Sequence, residues 1–215
     1  MSPQRPSQLP ASLADTRQVL HRISAHVLGR RRFEVSGRFG LRAGAGGITT
    51  PAFGDQPEIV RITGGTLVRE VASRASYVEL TGSTLRELAK FAGTDIEAVF
   101  SCGEDAPPPG AVDQPMTVDV EAVRAISNWY ELGWSVLDEV VADQRPDAVP
   151  ETIQLWPEHF DAGTSIGLEN GSRVNLGVSP GDGVVHEPYL YIGPQGPERP
   201  GDTDFWNAPF GAVLV

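Results

Sequence analysis

The residues best suited to chemistry lie in the last third of the chain, where His159, Asp161 and His186 fall among aromatic and turn-forming segments. On an extended strand a His-x-Asp pair projects to one face, because strand side chains alternate with a period of two. With His186 as third ligand the set is two histidines and one carboxylate, the facial arrangement that holds non-haem iron(II) and leaves positions open for oxygen chemistry. Such a site would belong to a metal-dependent enzyme. Two features weigh against it: the histidines are close together for strands of a double-stranded β-helix, and helix-rich sequence precedes them. A packing role also suits each ring, His159 between Trp156 and Phe160, and His186 in a surface loop after Val184-Val185.

A second constellation is a ligand pocket. Trp156, Tyr189, Tyr191, Phe205 and Trp206 can supply apolar walls, with His159 and Asn175 orienting a bound molecule. Tyr189 and Tyr191 share a strand face by spacing, with Leu190 and Ile192 on the other. Glu158, Asp161, Asp182 and Glu187 offer carboxylates, but acid/base work needs two groups whose surroundings push their pKa values apart. Asp182, in Ser-Pro-Gly-Asp-Gly, suits a turn in which its side chain bonds local backbone N–H groups. Ser179 lacks a Gly-x-Ser-x-Gly setting and precedes proline, which argues against a serine nucleophile. The leading expectation is a small-molecule-binding protein with its pocket in the C-terminal third; whether it is an enzyme stays open. A metal-dependent enzyme using His159, Asp161 and His186 is one alternative, and a non-catalytic interaction or scaffold protein, its aromatics merely core, is the other.

Composition narrows the setting. A chain of 215 residues, 40% hydrophobic, can bury a sizeable core. The start, MSPQRPSQLP, has no apolar run of the secretory kind, and no apolar stretch approaches the roughly 20 residues of a membrane span. These features point to a cytoplasmic protein without a membrane partner. Cys102 is the only cysteine, which excludes an intrachain disulfide and a Cys-based zinc finger. Its neighbours Glu104 and Asp105 disfavour a thiolate. Residues 1–42 carry eight arginines against Asp15 and Glu34, although the whole chain has a net charge of −11. The asymmetry suggests an anionic partner for the N-terminal region, but the acidic remainder would repel a phosphate backbone, so no nucleic acid is expected. Cofactor and oligomeric state stay open.

The elements that must position these residues follow from periodicity. Leu13, Leu20, Ile23 and Val27 repeat at helical spacing after Ser12, with Gly29 as the expected C-terminal cap. Phe33, Val35, Gly37, Phe39 and Leu41 then alternate with polar residues, which predicts a half-buried strand over 32–42. Gly44-Ala45-Gly46-Gly47 lacks the Lys and Ser/Thr of a phosphate loop and reads as a turn. Ile59–Ile62 and Thr66–Val68, separated by a turn at Gly64-Gly65, read as a hairpin, and Tyr77–Leu80 as a further strand. Thr84-Leu85-Arg86-Glu87 is a capping box opening a helix that ends at Gly93, and Thr94–Glu97 repeats the signature. Two apolar stripes over 120–141, one through Val123, Tyr130, Trp134 and Leu137 and one through Trp129, Leu132 and Val136, predict a long helix buried between layers. Strand-like runs follow at 152–156, 173–178, 189–192 and 212–215.

The expected fold is therefore α+β, with antiparallel sheets packed with two long helices. After a disordered tail at 1–10, residues 11–215 form a single domain in two halves, 11–102 and 116–215, joined by a Pro-rich linker at 103–115. Each half reads as a helix followed by strands, a pattern that admits a duplicated helix-plus-sheet unit.

The segments Leu155–Asp161, Ser179–Asp182 and Glu187–Pro194 resemble those of uncharacterised actinobacterial proteins. The stretch from Leu20 to Val68, including Gly47-Ile48-Thr49-Thr50-Pro51 and Gly54-Asp55, is loosely similar to a wider bacterial domain family of unknown function. The resemblance implies that both halves act as one unit; it carries no activity and no catalytic residue.

Overall fold

The computed structural model describes residues 9–44 and 46–215. Of the expected tail, residues 1–8 lie outside the described residues, as does Ala45 of the Gly-rich turn.

The fold is α+β, with two five-stranded antiparallel sheets, each a meander in chain order. The first comprises β1 (Arg42–Gly44), β2 (Gly47–Thr49), β3 (Glu58–Thr63), β4 (Thr66–Val71) and β5 (Arg74–Glu79). The second comprises β6 (Gln154–Trp156), β7 (Asp161–Gly167), β8 (Arg173–Ser179), β9 (Tyr189–Pro194) and β10 (Ala212–Leu214). The sheets meet through their first strands. Leu41, just before β1, and Leu155 of β6 exchange reciprocal backbone hydrogen bonds of 2.8 and 2.9 Å.

The expected pair of long helices is replaced by a more broken set. The N-terminal helical run consists of α1 (Leu13–Ile23), a π-helical stretch (Ser24–Gly29) and α2 (Arg30–Ser36). A short α3 (Leu85–Ala92) closes the first half, and α4 (Val120–Ala142) is the one long regular helix among the described residues. The strand expected over 32–42 is overturned, and Gly29 is not a cap: the helix runs on to Ser36 and stops at Gly37, which has left-handed φ of 68°. Gly29 instead permits close packing, since a Cβ there would stand 3.3 Å from the Pro157 side chain. Arginine anchors override the alternating pattern. Buried Arg30 donates to the carbonyls of Asp95 and Ala98 at 2.7 and 2.6 Å, and Arg31 donates to the buried carboxylate of Glu58 at 2.8 and 3.0 Å. Phe33 and Val35, assigned to the core by a strand pattern, are each 42% exposed. The repeat signature at Thr94–Glu97 forms a turn in which Asp95 accepts from the Glu97 N–H.

Helix α4 starts at Asp119, whose carboxylate accepts from the Glu121 N–H at 2.9 Å, and it packs against α1 and against β1, β2, β7 and β8. Of its first stripe Val123, Tyr130, Trp134 and Leu137 are buried, with Ile126 beside them, while Val120 at the helix start and Val136 of the second stripe are exposed. Gly133 allows the second sheet to come close, because a Cβ there would lie 2.3 Å from a Val178 methyl. Val178, Leu176 and Val174 therefore face the helix, and alternation sends Asn175, Gly177 and Ser179 to the opposite face. Residues 103–115 hold no helix or strand. They are fastened along the N-terminal helical run, with His26 Nε2 donating to Pro107 O (2.6 Å) and Arg22 Nε to Pro109 O (3.0 Å). No helix among the described residues is long and apolar enough to cross a membrane.

Candidate functional site

The face of the second sheet turned away from α4 carries a cavity of about 300 Å3 lined by Glu151, Thr152, Trp156, Glu158, His159, Asp161, Gly163, Thr164, Ser165, Asn175, Tyr191 and Gln195. Its centre is built by the turn between β6 and β7. Trp156 ends β6 directly opposite Asp161, which begins β7, and the Phe160 N–H closes the turn on the Trp156 carbonyl at 2.8 Å. Phe160 holds a left-handed φ of 56°, a costly conformation for a residue with a Cβ. Burial holds it there. Its ring stacks on His21 at 5.0 Å and meets Tyr130 edge-on at 5.8 Å, while Tyr130 Oη donates to the Phe160 carbonyl.

His21, on α1, supports the turn from below by donating Nε2–H to the carbonyls of Pro157 and Glu158 at 3.0 and 3.1 Å. Burial brings its pKa down to about 4, so the ring is neutral at physiological pH. Gly103 backs the other side, where a Cβ would lie 2.9 Å from the Glu158 carboxyl carbon. Burial raises the Glu158 pKa, and Glu158 Oε2 is buried with no hydrogen-bond partner among the described residues. His159 sits in the turn, half exposed, with Nδ1 3.7 Å from Asp105 and Nε2 3.8 Å from Glu158. His159 and Asp161 thus share the cavity without sharing a strand.

Glycines on this face let a tyrosine lie flat. Gly163 and Gly177 are cross-strand neighbours on β7 and β8, and Tyr191 of β9 pairs with Gly177. A Cβ at Gly177 would stand 2.4 Å from Tyr191 Cζ, and one at Gly163 2.9 Å from its Oη. The phenol therefore reaches across two strands and donates its O–H to Asp161 Oδ2. This is the close backbone approach for which strand glycines are suited. Beyond it, Gln195 donates to Ser165 Oγ at 2.9 Å and to Asn175 Oδ1 at 3.1 Å.

A second tyrosine–aspartate pair stands alongside and differs in one respect. Tyr189 donates to Asp182 Oδ2, and Asp182 Oδ1 accepts from the N–H groups of Val184 and Val185 at 2.6 and 2.7 Å. Burial pushes the Asp182 pKa up, but Tyr189, these two N–H groups and Arg17 outweigh it and bring it below the usual carboxylate range. Asp182 is thus the turn residue that its sequence setting suggests. Asp161 has only the Tyr191 hydroxyl on Oδ2; Oδ1 is buried without a partner among the described residues, and burial raises its pKa. Two neighbouring aspartates are driven in opposite directions. Asp161 can accept a donor from a ligand or, held protonated, give one.

Of the expected pocket residues, Trp156, His159, Asn175 and Tyr191 line the cavity and Tyr189 and Trp206 do not. Tyr189 shares the face but is tied to Asp182. Trp206 lies in the loop before β10, its Nε1 donating to Pro200 O at 3.0 Å and its ring beneath Arg199. The metal set His159, Asp161 and His186 is not brought together. His186 belongs to the loop around Asp182, its carbonyl held by Arg17 at 3.0 Å. No group of three or more His, Cys, Asp or Glu among the described residues is placed to hold a metal ion. His21, Gly103, Asp105, Gly163 and Gln195 contribute to the site from positions that carry no local motif, although Gly177 is visible in the sequence as a glycine within the strand-like run 173–178. Comparison with known proteins finds no matching family model, no similar curated protein and no similar solved structure.

Proposed function

We propose that this protein binds a small molecule bearing hydrogen-bond donors, an amine or a polyol, on the open face of its second sheet. The observation that carries the reading is Asp161: its Oδ1 is buried in the cavity lining without a partner among the described residues, while adjacent Asp182 has both oxygens satisfied. A buried polar atom left unpaired costs about 1–3 kcal/mol, and a ligand donor would recover that cost. Glu158 Oε2 is a second acceptor of the same kind, and Trp156 and Tyr191 give flat walls suited to a cation or a sugar-like face. A cytoplasmic setting fits the single buried thiol of Cys102. The recurrence of a helical run followed by a five-stranded meander supports reading the two halves as copies of one unit, and a relative carrying one such unit would decide it.

The test is a thermal-shift screen of small amines and polyols at neutral pH, repeated with Asp161→Asn and Asn175→Ala. A ligand at one hundred times its Kd stabilises by about 2.7 kcal/mol, about 6 °C for a chain of this length. The expected result is a hit whose shift collapses in Asp161→Asn. Hits that stabilise Asp161→Asn as much as the wild type would show that the carboxyl is not the recognition group.

A further inference from the structure

We infer that the seam where the two sheets meet is a separate anion-binding groove, shaped for a negatively charged group carried on an aromatic ring. After Gly37 the chain leaves the helix and runs past Arg38, Phe39 and Gly40 to the Leu41–Leu155 junction. A cavity of about 900 Å3 lies between this segment, α4 and residues 151–156. It shares only Glu151, Thr152 and Trp156 with the Asp161 cavity, and Asp161 does not line it.

Three guanidinium groups line the seam, those of Arg32, Arg38 and Arg42. Arg32 donates Nη1 to the Gly40 carbonyl, but its Nε is buried with no partner among the described residues. Arg38 and Arg42 have no carboxylate within 4.0 Å among those residues, whereas Arg31, Arg61, Arg69 and Arg86 all have one. The lining carboxylates do not neutralise this charge. Glu151 is engaged by Arg173 at 3.4 Å, which leaves Asp138 against three cations. Burial and the like charge of Arg38 both lower the Arg32 pKa, which agrees with unrelieved repulsion at this point.

The walls between the cations are aromatic. Phe39 and Trp156 are 6.5 Å apart, and the Arg42 guanidinium lies 5.5 Å above the Trp134 ring. A guanidinium over an aromatic ring with no carboxylate within 4.0 Å among the described residues is suited to receive a carboxylate or phosphate through paired hydrogen bonds. Ring and anion together fit this combination better than either alone. The inference is independent of the Asp161 reading.

Tryptophan fluorescence and thermal shift would be recorded against benzoate and phenyl phosphate, with benzyl alcohol and inorganic phosphate as controls. The wild type is expected to bind one of the two aromatic anions at least tenfold more tightly than either control. Arg38→Gln/Arg42→Gln should weaken that binding at least tenfold, and Asp161→Asn should leave it unchanged. If circular dichroism shows the double variant misfolded, Arg38→Glu alone carries the test, because Arg38 is exposed. Failure of the wild type to bind either aromatic anion, equal binding of benzyl alcohol, or unchanged binding by the folded arginine variant would overturn the inference.

Discussion

Replacing Asp161 by asparagine should stabilise the protein at neutral pH while removing its ligand response. Burial raises the Asp161 pKa above the ordinary aspartate value of about 3.8, so the folded state holds this proton more tightly than the unfolded chain. The sign follows from linkage: the contribution of Asp161 is most favourable at low pH, declines as pH rises from about 3.8 through the folded pKa, and is flat above it. Above about pH 3.8 the folded state either carries a buried charge whose one partner among the described residues is a hydroxyl, against three donors on Asp182, or keeps a proton that the unfolded chain releases. An amide keeps an acceptor for Tyr191 and removes the charge. It leaves a neutral N–H group in place of the unpaired oxygen, so the net gain is about 1–2 kcal/mol, below the full cost of a buried unpaired charge. Unfolding entropy for 215 residues is about 0.45 kcal/mol/K, so the melting temperature should rise by about 2–4 °C. The assay is calorimetry of wild type and variant from pH 3.5 to 8. The gap should open with rising pH and close at the acid end. A variant no more stable at pH 8, or a gap independent of pH, would refute the reasoning.

His21 has the opposite sign. Its folded pKa of about 4 lies below the unfolded 6.5, so its contribution is intact above pH 6.5, declines as pH falls towards 4, and costs up to about 3 kcal/mol below that; His21→Gln should flatten this part of a stability–pH curve, and an unchanged curve would contradict the neutral-donor role. Gly177→Ala should lift the Tyr191 ring, break its bond to Asp161 and cost about 1–3 kcal/mol in urea unfolding, with Gly177→Ala/Tyr191→Ala recovering part of the loss. An unshifted urea midpoint for the single variant would mean that the ring does not lie where the geometry puts it. Cys102 is buried and its thiol is pushed up to about 11, first by burial and then by Glu158; it should react with Ellman's reagent at pH 8 only after unfolding, and prompt labelling of the folded protein would count against the packing.

Where local chemistry decides the structure, the sequence was readable. The Gly64-Gly65 turn joins β3 and β4 where the pattern puts it. Thr84 and Glu87 form the reciprocal capping box, and the stripe through Tyr130 and Trp134 is the buried face of α4. The strand expected over 32–42 gives way to helix because Arg30 and Arg31, just ahead of it, find partners in Asp95, Ala98 and Glu58, contacts that no window of ten residues contains. Strand β7 is poorly marked in the sequence because Gly163, Thr164, Ser165 and Gly167 are small or polar, and the hydrophobic alternation that marks a strand is weak there. At the site, the Trp156–Asp161 segment stood out by composition. Its distinguishing property, a carboxylate with one oxygen unpaired, depends on His21 and Gly103 beneath the turn and on Tyr191 thirty residues away in the chain.

The edge-to-edge junction at Leu41 and Leu155 also bears on aggregation. Each meander has two edges, and the junction uses one from each at a single residue, leaving β5 and β10 as the outer margins. An unpaired margin is a template for another chain. β10 is only three residues long, and Asn207 occupies the backbone groups of Val213. β5 is six residues long and largely exposed, with Tyr77 near its middle and Arg74 and Glu79 at its ends as charged guards against self-association. Neutralising those two ends would strip the charge from the longer of these two outer strands, and open its backbone to pairing with another chain.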